Sequence, residues 1–161
     1  MRAMIQFLQQ FYQKSQGRNS MKTQILFVDD ERWGVDPYFK ELMKNDFECV
    51  LAKNGDEAIK KLKNQKFALL SMDIMFPPGR ALGQDTKPIK AGVQLLEMIR
   101  QGKIENCNSG IKVIVLTAVI NYEIENEIKK LGVSAYLKKP IEFPKVIETF
   151  IKIRDELKKD R

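Results

Sequence analysis

Residues 24–30 read QILFVDD, a run of Ile, Leu, Phe and Val that stops on two consecutive carboxylates. A strand with one wet face alternates apolar and polar residues, whereas an unbroken apolar run belongs in a sheet covered on both faces, the usual state of parallel sheets. The pattern predicts a strand from Gln24 to Asp29. Similar runs recur as FECVLA at 47–52, FALLSMD at 67–73, IKVIVLT at 111–117 and, shorter, VSAYLK at 133–138. Segments of helical period lie between them. VDPYFKELMKND (35–46) predicts a helix with Asp36 as N-cap and Pro37 at the first helical position. NGDEAIKKLKN (54–64) predicts a capped helix whose Ala58, Ile59 and Leu62 share one face. GVQLLEMIRQ, NYEIENEIKKL and a last helix from about Glu142 to Lys158 complete five strand and helix units. Alternation of this kind predicts an α/β domain with a doubly wound, five-stranded parallel sheet.

Two segments fall outside the rhythm. IMFPPGRALGQDTKPIKA (74–91) carries three prolines and two glycines, which forbid a regular element there. Residues 1–20 precede the first strand, and within them Met1, Met4, Leu8 and Phe11 recur at helical spacing. They read as an extension, either a short amphipathic helix that docks or dimerises, or loosely attached sequence ahead of a native start at Met21. The domain itself is expected to occupy 21–161.

Composition narrows the function classes. The chain of 161 residues is 43% hydrophobic and 30% charged, an ordinary globular balance. No run approaches the roughly 18 to 20 apolar residues of a membrane span. Cys49 and Cys107 form no metal-ligand pattern, and lone thiols suit a reducing compartment, so a cytoplasmic location is expected. Histidine is absent, which removes imidazole metal sites and Ser/His or Cys/His nucleophile pairs. The net charge of +7 includes +3 from residues 1–20, and the remaining Lys and Arg alternate with Glu along helices, as in KKLKNQK and ENEIKK. Solvated helix faces rather than a nucleic-acid surface follow from that spacing.

The remaining polar residues sit where chemistry happens in such sheets. Ligands bind beyond the carboxyl ends of the strands, at the point where strand order reverses. Asp29 and Asp30 close the first strand, Asp73 the third and Thr117 the fourth, while Lys139 follows the fifth just before Pro140. Three carboxylates brought together repel one another and call for a counterion. A small hard divalent cation, Mg²⁺ above all, suits an all-oxygen donor set.

ILFVDDE, LLSMDIMFP, VIVLTA and AYLKKP, in this order and spacing, resemble the motifs of response-regulator receiver domains, over about Lys22 to Lys158. The resemblance implies a flavodoxin-like fold with strand order 2-1-3-4-5 and a cis bond before Pro140. It makes Asp73 the phosphoacceptor, Thr117 the switch hydroxyl, Lys139 the phosphate-binding lysine and Tyr136 the switch aromatic. It assigns Mg²⁺ to Asp29, Asp30, Asp73 and the backbone carbonyl of Met75, with Asp29 acting through water. Before phosphorylation Lys139 is expected to pair with Asp73; afterwards the Thr117 hydroxyl draws the following loop inward and Tyr136 rotates into the space. The partners implied are a sensor histidine kinase or histidine phosphotransfer protein, and a downstream protein on the face of helix four, strand five and helix five. No output domain is expected after the final KKDR, so the chain resembles a stand-alone, chemotaxis-type receiver, a signalling protein rather than an enzyme.

Two departures from the family pattern stand out. Pro77 and Gly92 are separated by Pro78 through Ala91, where the family has only a few residues. This flap carries Arg80, Lys87 and Lys90, either as solvated charges or as contacts for phosphate or an acidic partner. Met75 and Val119, two residues after Asp73 and Thr117, occupy positions that orient attacking water in the family, and neither side chain can do so. A long-lived phosphoaspartate is therefore expected. Trp33, three residues after Asp30, either borders the site or packs. Two other functions fit the fold: a pseudo-receiver that binds partners without phosphorylation, which the intact Asp, Asp, Asp, Thr and Lys set disfavours, and a Mg²⁺-dependent phosphohydrolase, which Met75 disfavours because it stands where a second carboxylate is needed.

Overall fold

The computed structural model describes residues 21–160. The element order is β1 (Thr23–Val28), α1 (Arg32–Lys44), β2 (Phe47–Ala52), α2 (Gly55–Asn64), β3 (Leu69–Met72), a 3₁₀ turn (Pro88–Lys90), α3 (Ala91–Arg100), β4 (Lys112–Thr117), α4 (Tyr122–Lys130), β5 (Ala135–Lys138) and α5 (Phe143–Lys159). The five strands form one parallel sheet in the order β2-β1-β3-β4-β5, as the resemblance implies. The predicted helix at 1–14 lies outside the described residues. Among those described, no helix is long and apolar enough to cross a membrane.

The apolar runs do what a two-faced sheet demands. In β1, Leu26 and Val28 point into a core under α2, α3 and α4, while Ile25 and Phe27 point into a second core under α1 and α5. All four are essentially inaccessible to water. Burying each such side chain stabilises the fold by about 1.5–3 kcal/mol. Because both faces are packed, a one-residue slip would exchange the two cores, so the register is tightly specified. Val28 pairs with Met72, and Met72 with Val115. The residues just beyond these ends are thereby brought to one rim.

Several strands are shorter than predicted, β3 starting at Leu69, β4 at Lys112 and β5 at Ala135, and two boundary changes bear on the site or its neighbours. The strands end one residue before the acids, at Val28 and Met72, so Asp29 and Asp73 are the first residues released from the ladder. Each keeps one tie to it: Asp29 N–H donates to Ala52 O (3.0 Å) and Asp73 N–H to Val28 O (2.9 Å). The second change is α1, which begins at Arg32 instead of at Pro37; Asp36 is not its cap. Asp36 instead lies 3.7 Å from Arg32, one turn earlier. Pro37 is tolerated inside the helix because its missing N–H would have bonded Trp33 O, on an exposed first turn that water can serve. By contrast, α2 starts as predicted, with Asn54 Oδ1 accepting the Glu57 N–H at 2.8 Å.

Candidate phosphoacceptor site

At the carboxyl rim, carboxylate oxygens of Asp29, Asp30 and Asp73 all lie within 4.8 Å of one another. The three differ in surroundings. Asp29 is only 4% exposed, Asp73 is half-buried and Asp30 is open to solvent. Burial pushes the Asp29 carboxyl above the usual aspartate range, and the charges of Asp73 and Asp30 push the same way. The Glu31 N–H, donated to Asp29 Oδ1 at 2.8 Å, and the Lys139 ammonium oppose that rise without cancelling it. Three converging carboxylates, the deepest of them raised chiefly by burial, form a donor set short of positive charge, so these residues fit a hard divalent cation.

Asp73 is held by two donors on the same oxygen. Its Oδ1 accepts the Ile74 N–H at 2.7 Å and the Thr117 hydroxyl at 2.6 Å. Thr117 is fully buried at the end of β4, and its Oγ1 in turn accepts the Val119 N–H at 3.2 Å. The hydroxyl is thus turned onto the Asp73 carboxylate. Among the described residues, no protein donor engages the other Asp73 oxygen, Oδ2.

Lys139 takes a different partner from the one expected. Its ammonium lies 3.6 Å from Asp29 Oδ2, and no ion pair links it to Asp73. Asp29 is the deepest of the three acids, and Asp73 already has its two donors, so the larger unmet charge is at Asp29. Lys139 is aimed at the rim by its backbone: its N–H donates to Thr117 O at 2.8 Å, and the Lys139–Pro140 bond is cis, as the resemblance implies. Met75 is half-exposed beside Asp73, and Val119 packs on the larger core.

Tyr136 lies on β5 opposite Val115, with its ring against the core beneath α4. Its hydroxyl is buried with no hydrogen-bond partner, and burial, with Glu125 and Asp73 adding, pushes its pKa up to about 12. Tyr136 is therefore already inward, like Thr117. Above it sits a group that the sequence analysis missed. Glu125 of α4 accepts Lys129 Nζ on one oxygen and Lys138 Nζ on the other, each at 2.6 Å. Both ammoniums also face the Tyr136 ring, 5.5 and 6.0 Å from its centroid. The i,i+4 spacing of Glu125 and Lys129 was available in the sequence; the link to Lys138 needed the pairing of β4 with β5.

The flap is anchored, although Arg80 and Lys87 on it stand exposed. It is pinned to the start of α2, where the Asp56 carboxylate accepts Ala81 N–H at 2.7 Å and Arg80 N–H at 3.0 Å. Those two donors hold the Asp56 carboxyl below its usual range. Gly55 N–H donates to Pro77 O at 2.9 Å, and Leu82, 3% exposed, enters the core. Lys90 reaches α4, with Glu127 at 2.8 Å, and not the acidic rim. Trp33 does not pack at all: it is 88% exposed on the first turn of α1.

Three comparisons bear on this geometry. The chain is similar to the chemotaxis protein CheY of Halobacterium salinarum, 26% identical over 129 residues that cover 80% of this chain and 93% of that protein. It is also similar to hybrid signal transduction histidine kinase G of Dictyostelium discoideum, 29% identical over 127 residues, 77% of this chain but only 3% of that much longer protein. Among solved structures, a CheY-like response regulator receiver domain protein from Methanospirillum hungatei superposes with a TM-score of 0.70 at 26% identity, covering 87% of this chain and 99% of that one. Residues 25–151, from the first buried strand to the middle of α5, match the response regulator receiver domain, and by that match the chain belongs to the receiver family of two-component signalling.

Proposed function

We propose that this chain is a phosphoaspartate switch that takes a phosphoryl group onto Asp73 from the phosphohistidine of a sensor kinase or phosphotransfer protein. One observation carries it: Asp29, Asp30 and Asp73 converge within 4.8 Å, with the Thr117 hydroxyl seated on Asp73. Oδ2 of Asp73 attacks phosphorus, the P–N bond to the donor imidazole breaks, and the imidazole leaves with its electron pair. Asp29, Asp30 and Asp73, with the Met75 carbonyl, would hold Mg²⁺, which supplies positive charge against the phosphoryl oxygens. Lys139 contributes a second positive charge and exchanges Asp29 for a phosphoryl oxygen. Thr117 exchanges its bond to Oδ1 for one to the phosphoryl group, a stronger charge-assisted acceptor.

The readout is a change of population on the surface of α4, β5 and α5, to which a downstream protein binds. Support comes from the linkage of the site to that surface: Thr117 pairs in register with Lys138, and Lys138 is bonded to Glu125 of α4. The unpaired Tyr136 hydroxyl leaves that side chain incompletely satisfied, so a modest push suffices to rebalance it. We read the chain as a receiver working in the cytoplasm, in keeping with the free thiols of Cys49 and Cys107. Met75 and Val119 offer no side-chain hydrogen bond to a hydrolytic water, so the phosphoryl group is retained for long periods and the chain is no phosphatase.

The test is direct. Acetyl phosphate with Mg²⁺ should add one phosphoryl group by intact mass and change Trp33 fluorescence, since Trp33 stands three residues beyond Asp30. Asp73→Asn should abolish both responses. A wild-type protein silent in both assays would instead be a pseudo-receiver.

A further inference from the structure

The opposite end of the sheet is also concave among the described residues. A cavity of about 660 Å³ opens where the strands begin, bordered by Lys22 and Thr23 at β1, Ala68 before β3 and Ile111 before β4. In a parallel sheet this is the pole farthest from Asp29, Asp73 and Lys139. Its volume lies in the range of small-molecule sites. Leu62, Phe67, Ile111 and Leu157 supply an apolar floor, with one aromatic ring among them.

Charge on the cavity is one-sided. Lys22, Lys66, Arg154 and Lys158 line it and no carboxylate does. Arg154 is partly discharged by Asp155 at 2.9 Å, but Lys22, Lys66 and Lys158 make no ion pair among the described residues. The carboxyl ends of all five helices face this pole, those of α2 and α5 at the cavity itself, and each counts as about half a negative charge. Three unpaired ammoniums outweigh them. Residues 1–20 cannot discharge the site either: their charged side chains are Arg2, Lys14 and Arg18, with no acid. The charge pattern therefore selects an anion over that apolar but basic segment.

We infer that this cavity binds a nucleotide, its phosphate among Lys22, Lys66 and Lys158 and its base on the apolar floor. An inorganic anion would leave the floor wet; an uncharged apolar ligand would leave the lysines unanswered. The wall adds groups able to read a base edge. Asn108 spends its Oδ1 on the Gly110 N–H at 2.9 Å, which leaves its NH₂ as a donor, and Gln65 donates to Gln24 at 2.9 Å, which leaves its carbonyl as an acceptor. Such a site lies apart from the phosphoacceptor, so occupancy and phosphorylation do not exclude one another.

Cys107, a half-buried free thiol on the cavity wall, reports occupancy. The full-length protein is alkylated with iodoacetamide in the presence of AMP, GMP, ADP or GDP, and peptide mapping separates Cys107 from Cys49. Adenosine and inorganic pyrophosphate serve as ring without anion and anion without ring. At least one nucleotide should slow Cys107 labelling at submillimolar concentration, with both fragments at least tenfold weaker. The exposed double variant Lys66→Glu/Lys158→Glu, its fold checked by circular dichroism, should weaken that protection at least tenfold while keeping Asp73 phosphorylation. No protection at several millimolar, equal protection by pyrophosphate or by adenosine, or protection unchanged in the double variant would each overturn the assignment.

Discussion

The acidic rim and the flap meet after Met72, where Asp73 joins the rim and the chain runs on into the flap, yet they are organised by opposite means. The rim is assembled by strands: each of its residues sits within two residues of a strand's end, and parallel register brings those ends together. The flap has no strand or long helix. It is held by the Asp56 carboxylate of α2, by close backbone passage at Gly55, by the Lys90–Glu127 pair and by apolar anchors, of which Leu82 is more buried than Ile89. A site built on strands inherits the rigidity of the core, and a docked loop has only the strength of its few anchors. The two should therefore respond separately to substitution.

The largest effect is expected at the flap. Leu82→Ala removes a side chain that is 3% exposed and should cost about 2–3 kcal/mol by urea denaturation. Gly55→Ala strikes the same dock from the other side: a Cβ there would lie 2.1 Å from Pro78 O and 2.7 Å from Leu82 Cδ1, so the flap must lift, at about 1–3 kcal/mol. In both variants acetyl phosphate should still load Asp73 at the wild-type rate. A loading rate that falls in step with stability would show that the flap is part of the site after all.

This division explains what could be read from the sequence. Strand identity, sheet class and the convergence of Asp29, Asp30, Asp73, Thr117 and Lys139 follow from apolar runs that end on polar residues, because a buried parallel strand admits polar side chains only at its ends. The cap at Asn54 was legible because capping is local. The start of α1 was not, because Pro37 suits a first helical position, whereas the helix accepts it farther in, where the orphaned carbonyl meets water. The flap was illegible for a different reason. Asp56 lies 24 residues before Arg80, and nothing in the composition of either segment specifies that an acid near a helix start will collect N–H groups from a distant loop. The Lys139 partner was misassigned because relative burial of Asp29 and Asp73 is decided by packing, not by order along the chain.

A substitution at the rim should show the reverse of the flap result. Thr117→Val keeps the buried volume but removes the donor to Asp73 and the acceptor for Val119 N–H. Loss of these bonds should cost about 1–2 kcal/mol, less than the loss of Leu82. Phosphorylation of Asp73 should persist by intact mass, since Thr117 does not supply the attacking oxygen. The change in Trp33 fluorescence, or in binding of a downstream partner, should fall sharply. If Thr117→Val left that response intact, the link from the rim to α4 and β5 would not run through this hydroxyl.

The smallest effect tests that link at its far end. Lys129 first, and then Lys138, hold the Glu125 carboxyl below its ordinary value of 4.5. A carboxylate whose pKa is lower in the folded protein binds fewer protons folded than unfolded, so it adds stability that is complete above 4.5 and disappears as pH falls through the folded value. The urea midpoint of the wild type should therefore decline below pH 4.5 more steeply than that of Glu125→Gln, and the two curves should run parallel at neutral pH. Glutamine cannot hold two ammoniums, so the same variant frees Lys138, the residue paired in register with Thr117. If Glu125 couples α4 to the rim, the variant should also bind a downstream partner with less dependence on phosphorylation, whereas a merely stabilising ion pair would alter the acid limb of the curve and leave that dependence untouched.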